Sequence, residues 1–453
     1  MKNLALLLIF LVPFTLQAGL KKVAIIGGGM GGVSTATFLK DSNYEVHLFE
    51  KEKRLGGHAT TVSLRGINVD IGPQYLAKGG WDLYIEFLKH FNLFDKNNFY
   101  KFVSDITIYK TDQEYPEFTS GQKAGPNLDW LMNTKQAIPR LMSVATFINE
   151  AYKFNKKYGH KNVSMGDYLS KTKIKKDYLE NIIKPLVATG LTSPANMIDE
   201  VSMISAAGVL GFRKALKKQE WWVSKTGMQP FIEKIAERAQ RESKNLKIHL
   251  SSPVTKVLKN DDGSYTVFYG ENQEMKVDKL VFAVHVPVLK ELLKDWDTFR
   301  DLWEEFPYTF NKVLIIDDPS YLHPVYKSFY NVKIQDDGTY SMGMYLNKIS
   351  PEFGHLIKTW GFSEDTYNSL KEKGLILAEA DFMHPLPTTG FLEALKELKK
   401  RGKEEGDITF AGGWSENWET QYNAIQSGFK AARAIDSCIE PFWKEKLPAL
   451  KGI

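Results

Sequence analysis

The chain has 453 residues, of which 43% are hydrophobic and 13% aromatic, enough apolar surface for large packed cores and too much for a wholly disordered polypeptide. Lys and Arg outnumber Asp and Glu by 59 to 54, a formal charge of +5, and no concentrated basic stripe of the kind a dedicated nucleic-acid binder carries is present. A single cysteine, Cys438, excludes an intramolecular disulfide and any structural zinc site built on several thiolates.

In chain order, Lys2 precedes an unbroken apolar run from Leu4 to Val12, which ends through Pro13 at Gln17-Ala18. The run is shorter than the ~20 residues of a spanning helix and fits a secretory h-region, so residues 1 to 18 are expected to be a cleaved signal peptide and the protein periplasmic or secreted. Lys22 to Ile26 reads as a strand, Gly27 to Gly32 as a glycine turn, Val33 to Lys40 as a helix and Tyr44 to Glu50 as a second strand. Gly27 permits a tight turn, Gly29 lets a pyrophosphate approach the backbone, and Gly32 lets helix and strand pack closely. Met30 and Gly31 lie where the helix N-terminus offers amide N–H groups to phosphates. Glu50, 18 residues after Gly32, stands where an acid accepts from ribose hydroxyls. This unit predicts dinucleotide binding without deciding between NAD and FAD.

The next residues carry a resemblance. Lys51 to Arg54, then Leu55-Gly56-Gly57-His58, then Asp70-Ile71-Gly72-Pro73-Gln74 resemble the flavin-containing amine oxidase superfamily, in which Arg-x-Gly-Gly-Arg precedes an Asp-x-Gly-x-Gln-like turn. Thr226-Gly227-Met228, the strand around Val254, and Asp278 to Pro287 are similar to further family segments. Phe410-Ala411-Gly412-Gly413, followed by Asn423-Ala424-Ile425-Gln426-Ser427-Gly428, resembles the motif that closes over the flavin. The resemblance implies FAD surrounded by the first glycine turn, Glu50, Lys51, Gly56, Gly57, His58, Gly72, Gln74, Val254, Gly412, Gly413, Ala424 and Ile425.

Three departures stand out. His58 replaces an arginine, offering one hydrogen bond without a permanent charge. Gly413 replaces an acid, and Cys438 lies beyond the last motif, so the FAD is expected to be non-covalent. The Gly-Gly-His variant, with Tyr308 to Asn311 and Tyr345 to Asn347, is similar to a bacterial flavoprotein branch with members linked to lipid modification.

These anchors predict an α/β fold. A discontinuous Rossmann-like FAD-binding domain is expected from residues 20–75, 222–300 and 400–440, and a mixed-sheet and helical substrate domain from 76–221 and 301–399. Within the latter, Thr134 to Tyr158 and Ser164 to Lys184 read as helices, Lys312 to Ile316 and Thr339 to Tyr345 as strands, and Phe102 to Tyr109 and Glu114 to Phe118 as antiparallel partners.

The chemistry implied is hydride transfer from a substrate C–H to flavin N5. The expected substrate is an amine, with desaturation or isomerisation of a lipid or polyene as the alternative and a non-enzymatic binding scaffold as a third reading. Lys312 is the candidate for holding water at the flavin, against a solvated strand-edge lysine. Trp418 and Tyr422 are candidate pocket aromatics, and Trp221-Trp222 belongs to the core or a domain interface. His249 and His285 read as satisfied core histidines, and the absence of His-x-x-x-His spacing predicts no metal site. Lys171 to Lys176 and Lys214 to Lys218 read as solvated faces with some attraction to anionic lipid.

Overall fold

The computed structural model describes residues 20–79, 81–120, 124–210, 220–406 and 408–453. The expected signal peptide and the Lys214 to Lys218 patch lie outside the described residues. Val23, Ala24, Ile25 and Ile26 are buried on both faces of the first strand, Lys21–Ile26, as a continuous β-branched run at the centre of a parallel sheet should be. The strand order is Leu246–His249, Tyr44–Phe49, Lys21–Ile26, Lys279–Phe282 and Thr409–Phe410, every pairing parallel. Strands from three separated stretches of sequence therefore share one sheet.

The first helix, Met30–Phe38, is buried along its whole length. Its hydroxyls are satisfied locally: Thr35 Oγ1 donates to Gly31 O and Thr37 Oγ1 to Val33 O, both at 2.7 Å, which removes the cost of burying them unpaired. The long C-terminal helix, Gln421–Ile435, lies against it. A Cβ at Gly428 would sit 2.1 Å from Ser34 Oγ, so only glycine allows that contact.

A seven-stranded mixed sheet forms the second layer, in the order Ile376–Pro385, Tyr308–Asp317, Leu356–Trp360, Tyr340–Tyr345, Tyr330–Ile334, Ile106–Lys110 and Phe118–Thr119. Tyr330–Ile334 and Ile106–Lys110 pair in parallel, and the other pairs are antiparallel. The expected partnership around residues 102 to 118 is narrower than predicted. Phe99–Phe102 leaves for a separate sheet beside Glu220–Ser224, because Asp105 turns the chain by accepting from Phe329 N at 2.6 Å. Helix Ala137–Tyr158 begins after a turn closed by Ala137 N donating to Thr134 O. The expected helix 164–184 is broken into Met165–Leu169 and Lys176–Tyr178, followed by a π-helical turn, Leu179–Ile183, that leads into helix Lys184–Leu191. No helix among the described residues is long and apolar enough to cross a membrane.

His47 lies buried on strand Tyr44–Phe49 with its Nδ1 2.9 Å from His249 Nε2. Burial pulls its pKa down to about 4. The unfolded chain takes up this proton near pH ~6.5 while the folded chain resists it, so acid favours unfolding across the window from about 6.5 down to about 4. The expected loss is up to ~1.4 kcal/mol per pH unit. Thermal melts between pH 7 and 5 should fall more steeply for the wild type than for His47→Gln; parallel curves would contradict this assignment.

Candidate functional site

The carboxyl ends of the parallel strands form the crevice where ligands of such sheets bind. Three glycines there differ in the space they leave. Gly27 turns with φ +111° and its N–H donates to Phe49 O at 2.8 Å. A Cβ on Gly32 would sit 1.9 Å from Gly27 O, whereas one on Gly29 would meet nothing closer than 3.9 Å. The open space thus lies beside Gly29, at the N-terminus of helix Met30–Phe38, where the first amides and the helix dipole favour a phosphate. Met30 packs into the core, and Gly31 abuts Gly412, whose N would be 2.5 Å from an added Cβ. Glu50 accepts from Gly28 N at 2.6 Å and from Glu52 N at 2.9 Å, leaving lone pairs for a ribose.

The remaining expected cofactor residues separate into those at the crevice and those away from it. Gly56, at φ +122°, and Gly57, at φ +56°, bring their loop against the first turn, with Gly56 N donating to Gly28 O at 2.9 Å. Arg54 braces this loop through Thr60 Oγ1 at 2.8 Å. Gly72 packs so closely on His58 O that a Cβ would come within 1.9 Å. Val254 lies near Glu50 because Ser252 N donates to Glu50 O at 2.8 Å. Gly412 N donates to Ser427 Oγ at 2.8 Å, and Gly413 packs on Glu419 and Thr420. Lys51 is exposed, its ammonium 3.8 Å from Glu52. Ile425 is fully buried in the core, so only its backbone could face a ligand, and Ala424 offers little more.

Lys312 is not at the crevice. It points outward on strand Tyr308–Asp317, 3.0 Å from Asp381, because the two residues are directly paired across neighbouring strands. The lysine that reaches the Asp-x-Gly-x-Gln turn is Lys358, buried mid-strand, whose Nζ donates to Gly72 O, to Gln74 Oε1 at 3.1 Å and to Asp70 O at 3.3 Å. Burial lowers its pKa, and burial raises that of Asp70. Asp70 is itself held by Thr61 Oγ1 at 2.6 Å and Met228 N at 2.9 Å. A lone lysine in an apolar strand carries no motif, so sequence spacing could not find it.

Trp418 and Tyr422 are half-buried. Trp418 lies over Gly208 and 6.1 Å from Trp81; Trp81 is 5.9 Å from Trp221, and Trp221 is 5.1 Å from Tyr75. Tyr75 and Tyr330 share a 2.5 Å hydroxyl contact. Together they make an aromatic wall. Strand alternation splits the Trp221-Trp222 pair, sending Trp222 into the other core. Burial raises the Tyr422 hydroxyl pKa.

His285, expected as a core histidine, joins a polar cluster instead. Its ring stacks 4.6 Å from His58, and its Nε2 is 3.3 Å from Glu419 Oε1. The same oxygen is 3.6 Å from His58 Nδ1, and the other Glu419 oxygen is 3.2 Å from His384 Nδ1. Protein crowds these side chains on nearly every side, yet His58 and Glu419 keep 27% and 21% of their side-chain surface accessible, as groups lining a cleft do. Burial holds His58 at about 3 and also lowers His285, so both imidazoles are neutral at pH 7. Burial opposes the Glu419 carboxylate, while its contact with His384 Nδ1 at 3.2 Å favours it. The donor atoms of His58, His285 and Glu419 lie within 4.8 Å of one another, a set able to hold a cation. These three groups come from distant segments, a convergence that local spacing does not display. His285 Nδ1 and Gln421 Oε1 are buried without a partner. The open face of Gly29, the Glu50 carboxyl and this partly accessible polar edge fit an adenine–flavin dinucleotide.

Two outcomes follow for variants. Gly29→Leu should fill the open space while sparing the fold, leaving far-UV circular dichroism unchanged and flavin absorbance per chain reduced about tenfold or more. Lys358→Met, which strands buried acceptors, should cost about 3 kcal/mol in denaturant unfolding. Its combination with Asp70→Asn should cost less than the sum of the singles.

The model of the family described as flavin containing amine oxidoreductase matches residues 30–314. Among curated proteins, 4,4'-diaponeurosporene oxygenase of Staphylococcus haemolyticus is 41% identical over 56 residues, 12% of this chain and 11% of that protein. Carotenoid 3,4-desaturase of Haloarcula japonica is 42% identical over 53 residues, again 12% and 11%. The chain thus covers about a tenth of the length of these relatives. Cyclohexylamine oxidase from Brevibacterium oxydans superposes with a TM-score of 0.64 at 15% identity, covering 93% of this chain and 99% of that one. Putrescine oxidase bound to putrescine gives 0.61 at 14%, covering 92% and 99%; at such identity the likeness is one of fold. The glycine crevice and a family match over more than half of the sequence establish that the chain belongs to the flavin-containing amine oxidoreductase family and is an FAD-dependent oxidoreductase.

Proposed function

We propose that the enzyme removes a hydride from a C–H bond of an apolar, unsaturated substrate of lipid or polyene kind and passes the electrons to oxygen or another acceptor. The observation that carries this reading is the cluster of Tyr75, Trp81, Trp221, Tyr330 and Trp418, packed edge-to-face and tilted, a mainly apolar surface suited to conjugated or alkyl chains. The carotenoid-named relatives support the same substrate class.

Bound FAD supplies the hydride-accepting centre. The protein's own groups do the rest. The amides opening helix Met30–Phe38 hold the diphosphate, Glu50 the ribose, and the neutral His58 ring donates one hydrogen bond near the glycine loop. The aromatic wall orients the substrate and excludes water. The Glu419 carboxylate fixes the N–H groups of His285 and His384 and keeps a compensated negative charge at the cleft edge. An exposed Cys438 supports FAD held without a covalent bond, and the apolar run from Leu4 to Val12 supports a periplasmic or secreted location.

A second reading, amine oxidation, is favoured by the same aromatic faces, which attract a cationic or neutral nitrogen. Anaerobic titration of the yellow holoenzyme separates the two. Unsaturated lipids or polyenes should bleach the flavin absorbance and a panel of primary and secondary amines should not; bleaching by amines alone would replace the first reading with the second. Trp221→Ala should raise KM for the active substrate about tenfold through the lost aromatic contact.

A further inference from the structure

Two helices of the substrate side expose an apolar surface that the fold leaves uncovered. Helix Ala124–Asn133 presents Leu128, Leu131 and Met132, and helix Ala137–Tyr158 presents Ile138 and Met142 across the short turn. Met132, Ile138 and Met142 are 76%, 67% and 61% exposed, far beyond the scattered single apolar residues normal on a soluble surface. The opposite face of the longer helix is anchored, with Val144, Phe147, Ala151 and Phe154 in the core. The exposed side chains therefore belong to a firmly held helix pair.

Charge on the same face selects the occupant. At about 100° per residue, Ile138, Met142, Lys153 and Lys156 fall within about 60° of one another around the helix, so one stripe runs from apolar to cationic. Lys157 and Lys161 extend the cationic end, and each lies over the Tyr158 ring, at 5.1 and 4.9 Å. None of these four lysines is within ion-pair distance of a carboxylate among the described residues. The nearby acids are compensated or suppressed: Asp129 accepts from Tyr326 at 2.8 Å, and burial raises the Glu150 pKa. Apolar residues at one end, and tyrosine with unpaired lysines at the other, form the pattern of an interfacial helix on anionic lipid. A protein partner of matching shape would need acids placed against those lysines but no fluid apolar phase for the methionines.

We infer that helices Ala124–Asn133 and Ala137–Tyr158 dock the enzyme on the surface of an anionic bilayer, with Leu128, Met132, Ile138 and Met142 entering the acyl boundary and Lys153, Lys156, Lys157 and Lys161 contacting headgroups. The inference needs no particular substrate, so it stands or falls separately from the lipid-oxidation reading.

The test is sedimentation of the full-chain holoenzyme with phosphatidylcholine vesicles and with vesicles in which phosphatidylglycerol replaces part of the phosphatidylcholine. Binding is expected on the anionic vesicles, weakened by added salt. Met132→Asp combined with Met142→Asp should lower vesicle affinity at least tenfold, as should Lys153→Gln, Lys156→Gln and Lys157→Gln together. Melting temperature and flavin absorbance of the variants should match the wild type, since the substituted side chains are exposed. Wild-type binding that survives both sets of substitutions, or no binding to either vesicle, would overturn the inference. So would a lipid-free dimer of the wild type that the Met132→Asp/Met142→Asp variant converts to monomer, which would assign the surface to a second copy of the chain.

Discussion

Everything at the crevice depends on a backbone approach that only glycine permits. Gly32 lies against Gly27 O, and Gly31 against Gly412 N, at separations where a single Cβ would collide. These contacts seat the first helix on the strand ends and draw the C-terminal Ala411 to Gly413 segment beside the first turn. Without them the sheet could still form from its β-branched strands, but its carboxyl edge would not close around a diphosphate. Gly428 extends the same constraint along the helix pair by admitting Ser34.

The second requirement is electrical. A family arginine is replaced by His58, and the structure balances the change locally. Imidazoles from residues 58, 285 and 384 surround one carboxylate, Glu419. Lys358 likewise spends its donors on the carbonyls of Asp70 and Gly72 and the amide of Gln74. Burial would be costly for any of these groups alone, and it is tolerable because each finds partners across a domain-scale separation in sequence. Such groups stiffen the turn next to the cleft.

Catalytic geometry and surface chemistry meet on the same side chains' periodicity. Helix Ala137–Tyr158 buries one stripe to complete the core under the mixed sheet and shows another to solvent. The proposed apolar substrate and the proposed lipid-facing helix pair share a physical logic: both would lower the cost of moving a water-averse molecule to an oxidising site.

Much of the nucleotide end was legible before any fold was known, because Gly27, Gly29, Gly32 and Glu50 act through backbone conformation and short-range spacing, which a linear string preserves. The opening strand–turn–helix–strand unit was legible for the same reason, its first strand, Lys21–Ile26, being apolar and largely β-branched. Lys312 misled because a lysine opening an apolar strand has the same local pattern whether it faces a cofactor or Asp381; strand pairing decided between them. His285, His384, Glu419 and Lys358 carry no local signature at all. Their roles arise from contacts across hundreds of residues, and only the packing of the two sheets sets which of those distant side chains share a few ångströms of space.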